Sequence, residues 1–178
     1  RGWLHSSEAL PVVFPNLKRV SGTSVGGLFA CATALRVSSE RLFQLLDSEA
    51  ILQGLAPKVD LQQLHRFYGL ESTQCLREGI MRVLEIGLPP WGEAGCRAET
   101  FTLGELEALT GVELSVCATR IGDSDGGDSL PRSEMFTSRT TPDIPVVDAL
   151  VMSMAVPVLY HPVVHTDGGI YVDGALLN

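Results

Sequence analysis

The sequence of 178 residues predicts a single α/β domain. Three features carry that expectation. A short apolar run near residue 20 enters a glycine-rich turn and then a helix of small residues, the middle of the chain has helical spacing, and strand and turn signals return in the last third.

Leu17 to Val20 is partly apolar and runs into Ser21-Gly22-Thr23-Ser24-Val25-Gly26-Gly27. Beyond it, Leu28, Phe29, Cys31, Ala32 and Leu35 recur at helical spacing among small residues, which reads as strand, tight turn and buried helix. Ser39 is placed to cap a second helix with Leu42, Leu45 and Leu46 on one face. Asp60 is placed to cap a third, carrying Leu61, Leu64 and Phe67 and stopping near Gly69. Ser72 is placed to cap a fourth, with Leu76, Ile80, Val83 and Leu84 inward and Gly87 past its end. The Pro-Pro-Trp-Gly run between Leu88 and Arg97 marks a loop.

Thr102-Leu103-Gly104-Glu105 has the form of a capping box, and Gly111 closes the short helix it opens. Val112, Leu114, Val116 and Ala118 then alternate as a strand, and Gly122 to Ser129 is an acidic, glycine-rich loop. Met135 to Ser138 reads as a returning strand, and Pro145 fits the first turn of a helix reaching about Met154. Val163–His165 and Ile170–Val172 flank Asp167-Gly168, a two-residue hairpin turn. Neither an internal repeat nor a linker divides residues 1–178, so one domain is expected.

Composition narrows the function. A net charge of −8 argues against a nucleic-acid binder, which needs a basic stripe, and against a polybasic grip on anionic lipid. With 45% hydrophobic residues the chain can bury a core rather than remain disordered. The longest weakly polar stretch, Val25 to Leu35, falls far short of the roughly 18 residues that span a bilayer. No signal peptide is legible at the N-terminus. Cys31, Cys75, Cys96 and Cys117 form no C-x-x-C pair, so a reduced, cytoplasmic protein is the expectation.

Gly22-Thr23-Ser24-Val25-Gly26 matches G-x-S-x-G, the nucleophile elbow. A serine that projects from a sharp strand-to-helix turn calls for residues without Cβ on both sides. The Val25 amide then sits at a helix N-terminus whose dipole favours a developing oxyanion. Chance produces this string in a few per cent of chains of this length, and the bland alternative is a glycine-rich connection. The strand before it and the helix after it favour Ser24 as nucleophile. Asp173-Gly174-Ala175 follows a short apolar strand, which suits a carboxylate at a sheet edge but equally suits an ordinary turn aspartate. Asp167-Gly168-Gly169 is read as turn chemistry, with a water-exposed carboxylate far from Ser24.

Ser24 in its elbow, Thr141-Pro142-Asp143, Ser153-Met154-Ala155-Val156-Pro157, Pro162 and Tyr171-Val172-Asp173-Gly174-Ala175 occur in the order seen in patatin-like phospholipases, which the chain resembles over nearly its whole length. Thr100 to Leu106 through Cys117-Ala118-Thr119 is similar to that family's helix-strand pair, and the likeness is weakest from Leu52 to Ala98. The resemblance implies a three-layer α/β/α domain with a mostly parallel central sheet and a Ser-Asp dyad that cleaves acyl esters of lipids. It assigns Ser24 as nucleophile, Asp173 as the aspartate of the D-G-[GA] motif with Gly174 and Ala175, and Gly22, Val25 and Gly26 to the elbow. Arg1-Gly2 resembles the end of the family's glycine-rich oxyanion loop, which makes Gly2 a further oxyanion residue. On that comparison the domain is trimmed at the N-terminus, and its stop at Asn178 implies trimming at the C-terminus too.

Asp148 with His161 or His165 completes the Ser-acid-His order of a conventional hydrolase, but both histidines fit structural roles, as do His5 and His65. Asp123, Asp125, Asp128 and Glu134 have partial EF-hand spacing, yet Gly127 takes a ligand position and Asp128 the required glycine position, so no metal is expected. The leucine-rich helices between Ser39 and Leu88 read as core, and Trp91 suits a lipid interface or a fold onto the core. The expectation is therefore a serine acyl hydrolase of phospholipase A or lysophospholipase type. It works through an acyl-enzyme without a cofactor and touches a membrane or lipid interface transiently. The rival is a non-catalytic domain of the same fold that binds lipid or a partner.

Overall fold

Strand β1 (Arg19–Thr23) leads through Ser24 into helix α1 (Val25–Ala34), the strand-turn-helix that the small residues predict. The computed structural model describes residues 16–46, 66, 68–88, 98–126 and 130–178, leaving aside the side chains of 45 and 46. Gly2, His5, His65, Trp91, Cys96, Asp128 and the helix expected from Asp60 through Leu61, Leu64 and Phe67 lie outside those residues.

The remaining elements are α2 (Ser39–Leu46), β2 (Gly69–Glu71), α3 (Gln74–Gly87), α4 (Leu103–Thr110), β3 (Glu113–Asp123), β4 (Arg132–Thr137), α5 (Val146–Met154), β5 (Val158–Tyr160), β6 (Val163–Val164) and β7 (Gly169–Asp173), then a 3-10 turn at Gly174–Leu176. The capping box forms as expected: Thr102 Oγ1 accepts from the Glu105 amide, and the Glu105 carboxylate accepts from the Thr102 amide. Gly111 ends α4 in the left-handed region at φ 70°, where its missing Cβ removes the steric penalty. Two caps differ from expectation. Ser38, not Ser39, accepts the Arg41 amide, and α3 starts after Thr73 rather than Ser72. Adjacent hydroxyl residues offer the same local chemistry, so tertiary packing chooses between them.

β3 organises the sheet. Its first half, Glu113–Cys117, pairs in parallel with β1, and its second half pairs antiparallel with β7 from Ala118↔Asp173 to Asp123↔Gly169. β4 pairs antiparallel with residues 115–120 of β3, which overlap both partners. A strand has only two edges, so β1 and β7 share one edge of β3 and β4 takes the other. Thr23↔Cys117 and Ala118↔Asp173 are therefore consecutive pairs, and β1 and β7 meet end to end. The parallel pairing that the sequence predicts is found where the elbow is built. β4 and β6 add antiparallel pairings to their chain neighbours β3 and β7, and β7 returns from far along the chain to pair antiparallel with β3.

β3, the strand its alternation predicts, is buried on both faces along Leu114–Thr119 except at Ser115. α1 packs on β1 and β3, α4 on β3, and α5 on β3 and β7, while α1, α3 and α5 also touch one another. Leu76, Ile80, Val83 and Leu84 of α3 point inward as their spacing predicts. α5 is buried except at Asp148, its polar Ser153 included. β2 and β5 form a separate parallel pair that local patterns do not signal.

Candidate active site

The elbow places Ser24 at φ 55° and ψ −134°, a region costly for any residue with a Cβ and characteristic of functional turns. Its hydroxyl donates to Asp173 Oδ2 at 2.5 Å. The register explains the contact: β1 and β7 deliver their last residues to adjacent positions of β3, so Ser24 leaves one strand end where Asp173 finishes the other. Asp173 is 4% exposed. Its Oδ1 accepts the Ala175 amide at 2.8 Å, and its own amide donates to the Ala155 carbonyl at 2.9 Å, so the carboxylate is fixed from both sides.

The glycines divide by position. A Cβ on Gly22 would lie 2.2 Å from the Gly26 carbonyl oxygen, and one on Gly174 would lie 2.2 Å from that of Cys117. Both sites exclude a side chain. Gly26 has no neighbour within 4 Å of its Cβ position, so the expectation that both flanks of Ser24 need a missing Cβ holds only on the strand side. Crowding falls there because the helix start folds back over the strand, not over its own exposed turn.

Val25 opens α1, and the first amides of a helix have no intrahelical acceptor. No acidic side chain of α1 itself sits in this first turn, so the carboxylate at this helix end is that of Asp173. Ser153, at the end of α5, accepts the Ser24 amide at 2.8 Å and donates to the Cys117 carbonyl at 2.6 Å. The sequence singles out Ser153 only as part of a longer string. A hydroxyl inside the apolar run Ala149–Met154 is the signal that marks it.

The histidines are placed elsewhere. His165 packs edge-on against Tyr171, with Nδ1 3.3 Å from Asp167 Oδ1. His161 lines an apolar cleft of about 960 Å³ with Tyr68, Val158, Pro162, Val172 and Leu176. Asp148 is engaged by Arg77 rather than by a histidine. Burial pushes the Cys31 thiol up to about 12, and burial together with Glu71 raises that of Cys75. Neither Ser24 nor Asp173 lines this cleft, and Val172, which does, is the neighbour of Asp173 on β7, where successive side chains face opposite sides of the sheet.

Asp123 of the acidic loop is bound by Arg120, which also reaches Asp167 and Glu134. Among the described residues no three acidic, histidine or cysteine side chains gather as a metal site. Asp167 is less ordinary than a turn aspartate. Partial burial pushes its carboxyl up, but hydrogen bonds from the Tyr171 hydroxyl and the Gly169 amide, with His165 nearby, outweigh burial and hold it below the usual 3.8. A depressed carboxyl stabilises the fold above its unfolded pKa, and that contribution disappears as pH falls through the folded value. Asp167→Asn should therefore lower the Tm at pH 7, with the gap to wild type closing below about pH 4. Thermal melts between pH 7 and pH 2 check this, and a gap that persists at the acid end contradicts it.

The family described as patatin-like phospholipase has a sequence model that matches residues 2–178. Among solved structures, VipD from Legionella pneumophila is 17% identical with a TM-score of 0.46, and the match covers 97% of this chain and 43% of that one. The type III effector protein ExoU is 20% identical with a TM-score of 0.43, covering 86% of this chain and 36% of that one. The chain thus spans less than half the length of either protein. No curated protein matches it.

Proposed function

Because the chain belongs to the patatin-like phospholipase family, we propose that it is a serine acyl hydrolase that cleaves fatty-acyl esters of lipids, of phospholipase A or lysophospholipase type. The observation that supports this most is the 2.5 Å hydrogen bond from the Ser24 hydroxyl to Asp173, set in a strained elbow at a helix N-terminus. Ser24 Oγ attacks the ester carbonyl while its proton passes to Asp173 Oδ2. The Val25 amide holds the resulting oxyanion, with Gly2 of the N-terminal segment as a further donor. Collapse of this intermediate breaks the ester C–O bond, and the departing alcohol or lysolipid takes the proton from Asp173. Water then gives its proton to Asp173 and attacks the acyl-enzyme. Release of the fatty acid returns that proton to Ser24.

A fluorophosphonate probe tests the reading. The wild-type chain should be labelled at Ser24, as mapped by peptide mass spectrometry, and Ser24→Ala should not be labelled at all. A folded wild-type chain that resists the probe points instead to a lipid-binding domain without turnover.

A further inference from the structure

We infer that Ser153 is a positioning residue, whose hydroxyl holds the nucleophile's backbone in its reactive conformation. The inference rests on the serine-hydrolase reading above.

Thr23↔Cys117 is the last pair of the β1–β3 ladder, and beyond it the chain bends away into α1. At that bend the Ser153 hydroxyl accepts the Ser24 N–H and donates to the Cys117 carbonyl. It thereby supplies both partners that strand pairing no longer provides, inside a fully buried position. Ser24 is held at φ 55° and ψ −134°, a conformation that persists only when its surroundings over-determine it. The orientation of this peptide sets the direction of the Ser24 side chain, and the next amide is that of Val25. Two residues on, just past the end of α5, the Ala155 carbonyl accepts the Asp173 amide. The end of α5 therefore grips nucleophile and base separately, through the side chain of Ser153 and the backbone of Ala155. A shift at Ser153 changes the separation of Ser24 from Asp173 directly.

Threonine and valine have the same shape, and only threonine keeps the hydroxyl, so this pair isolates the hydrogen bonds from the added methyl group. Ser153→Thr should retain most of the fluorophosphonate labelling rate and kcat on a soluble p-nitrophenyl ester. Ser153→Val and Ser153→Ala should lose about 100-fold in kcat per folded molecule with KM little changed, the size of a loss caused by misplacing a reacting group. Hydrogen exchange at the Ser24 amide should be slow in wild type and Ser153→Thr and fast in Ser153→Val. Wild-type kcat in a folded hydroxyl-free variant overturns the inference. So does the case in which the hydroxyl-free variants unfold while Ser153→Thr stays native, because the role is then structural alone. If the wild-type chain itself is not labelled, the hydrolase reading fails, and protection of the Ser24 amide then decides whether Ser153 holds it.

Discussion

Asp173→Asn should silence ester hydrolysis in a chain that still folds, lowering kcat by about 100- to 10,000-fold, the range supplied by a positioned general base. The substitution separates two jobs of one carboxylate. Asparagine keeps an Oδ1 that accepts the Ala175 amide, so the turn after β7 is preserved. Its backbone still donates to Ala155. The atom facing Ser24 Oγ becomes an amide NH2, which donates and cannot take the serine proton. Turnover of a p-nitrophenyl ester, read beside circular dichroism and a thermal melt, checks the result. His161→Ala and His165→Ala serve as controls and should each keep most activity, since neither histidine partners the Ser24 hydroxyl among the described contacts. If either silences the enzyme without unfolding it, a histidine has to be written into the mechanism in place of direct transfer to Asp173.

Gly22→Ala should be the most damaging small substitution in the elbow, whereas Gly26→Ala should be tolerated. An added methyl at Gly22 would sit 2.2 Å from the Gly26 carbonyl oxygen and 2.5 Å from the Gly27 amide nitrogen, both backbone atoms that cannot rotate aside. Overpacking costs roughly 1–3 kcal/mol when side chains can yield. Against backbone the upper end applies, and about 3 kcal/mol lowers the Tm of a domain this size by roughly 6–12 °C. Relief of the clash must open the turn that carries Ser24, so activity should fall with stability. At Gly26 the methyl meets nothing within 4 Å, and alanine is the better helix former by about 1 kcal/mol. Paired melts and esterase assays of the two variants check this. Equal damage at both positions contradicts it.

The parts of the fold that were legible are those decided within a few residues. The Thr102–Glu105 box and Gly111 form as their spacing dictates, because each partner lies within one helical turn of the other. Ser24 was legible for the same reason, since a strand, a turn and a helix write the elbow in one continuous string. Asp173 looks like any turn aspartate until its register opposite Ala118 is known, and the family resemblance singled it out where its own neighbours did not. Ser153 and the β2–β5 pair depend on partners far away in the chain, Ser24 and Cys117 in one case and Gly69 with Val158 in the other. A hairpin tip predicts a water-exposed Asp167. Its contact with Arg120, 47 residues earlier, leaves no local trace.

The end-to-end meeting of β1 and β7 on one edge of β3 also sets when activity can begin. Ser24 and Asp173 are 149 positions apart, and their contact exists only once β7 has paired with the second half of β3. During synthesis the nucleophile leaves the ribosome long before its base, so a nascent chain exposes Ser24 with no carboxylate beside it. Closing a loop of that length is slow to accomplish relative to local turns, although its entropy grows only with the logarithm of length. On the hydrolase reading, a chain in which β7 has not yet docked on β3 is inert, whatever the state of its elbow.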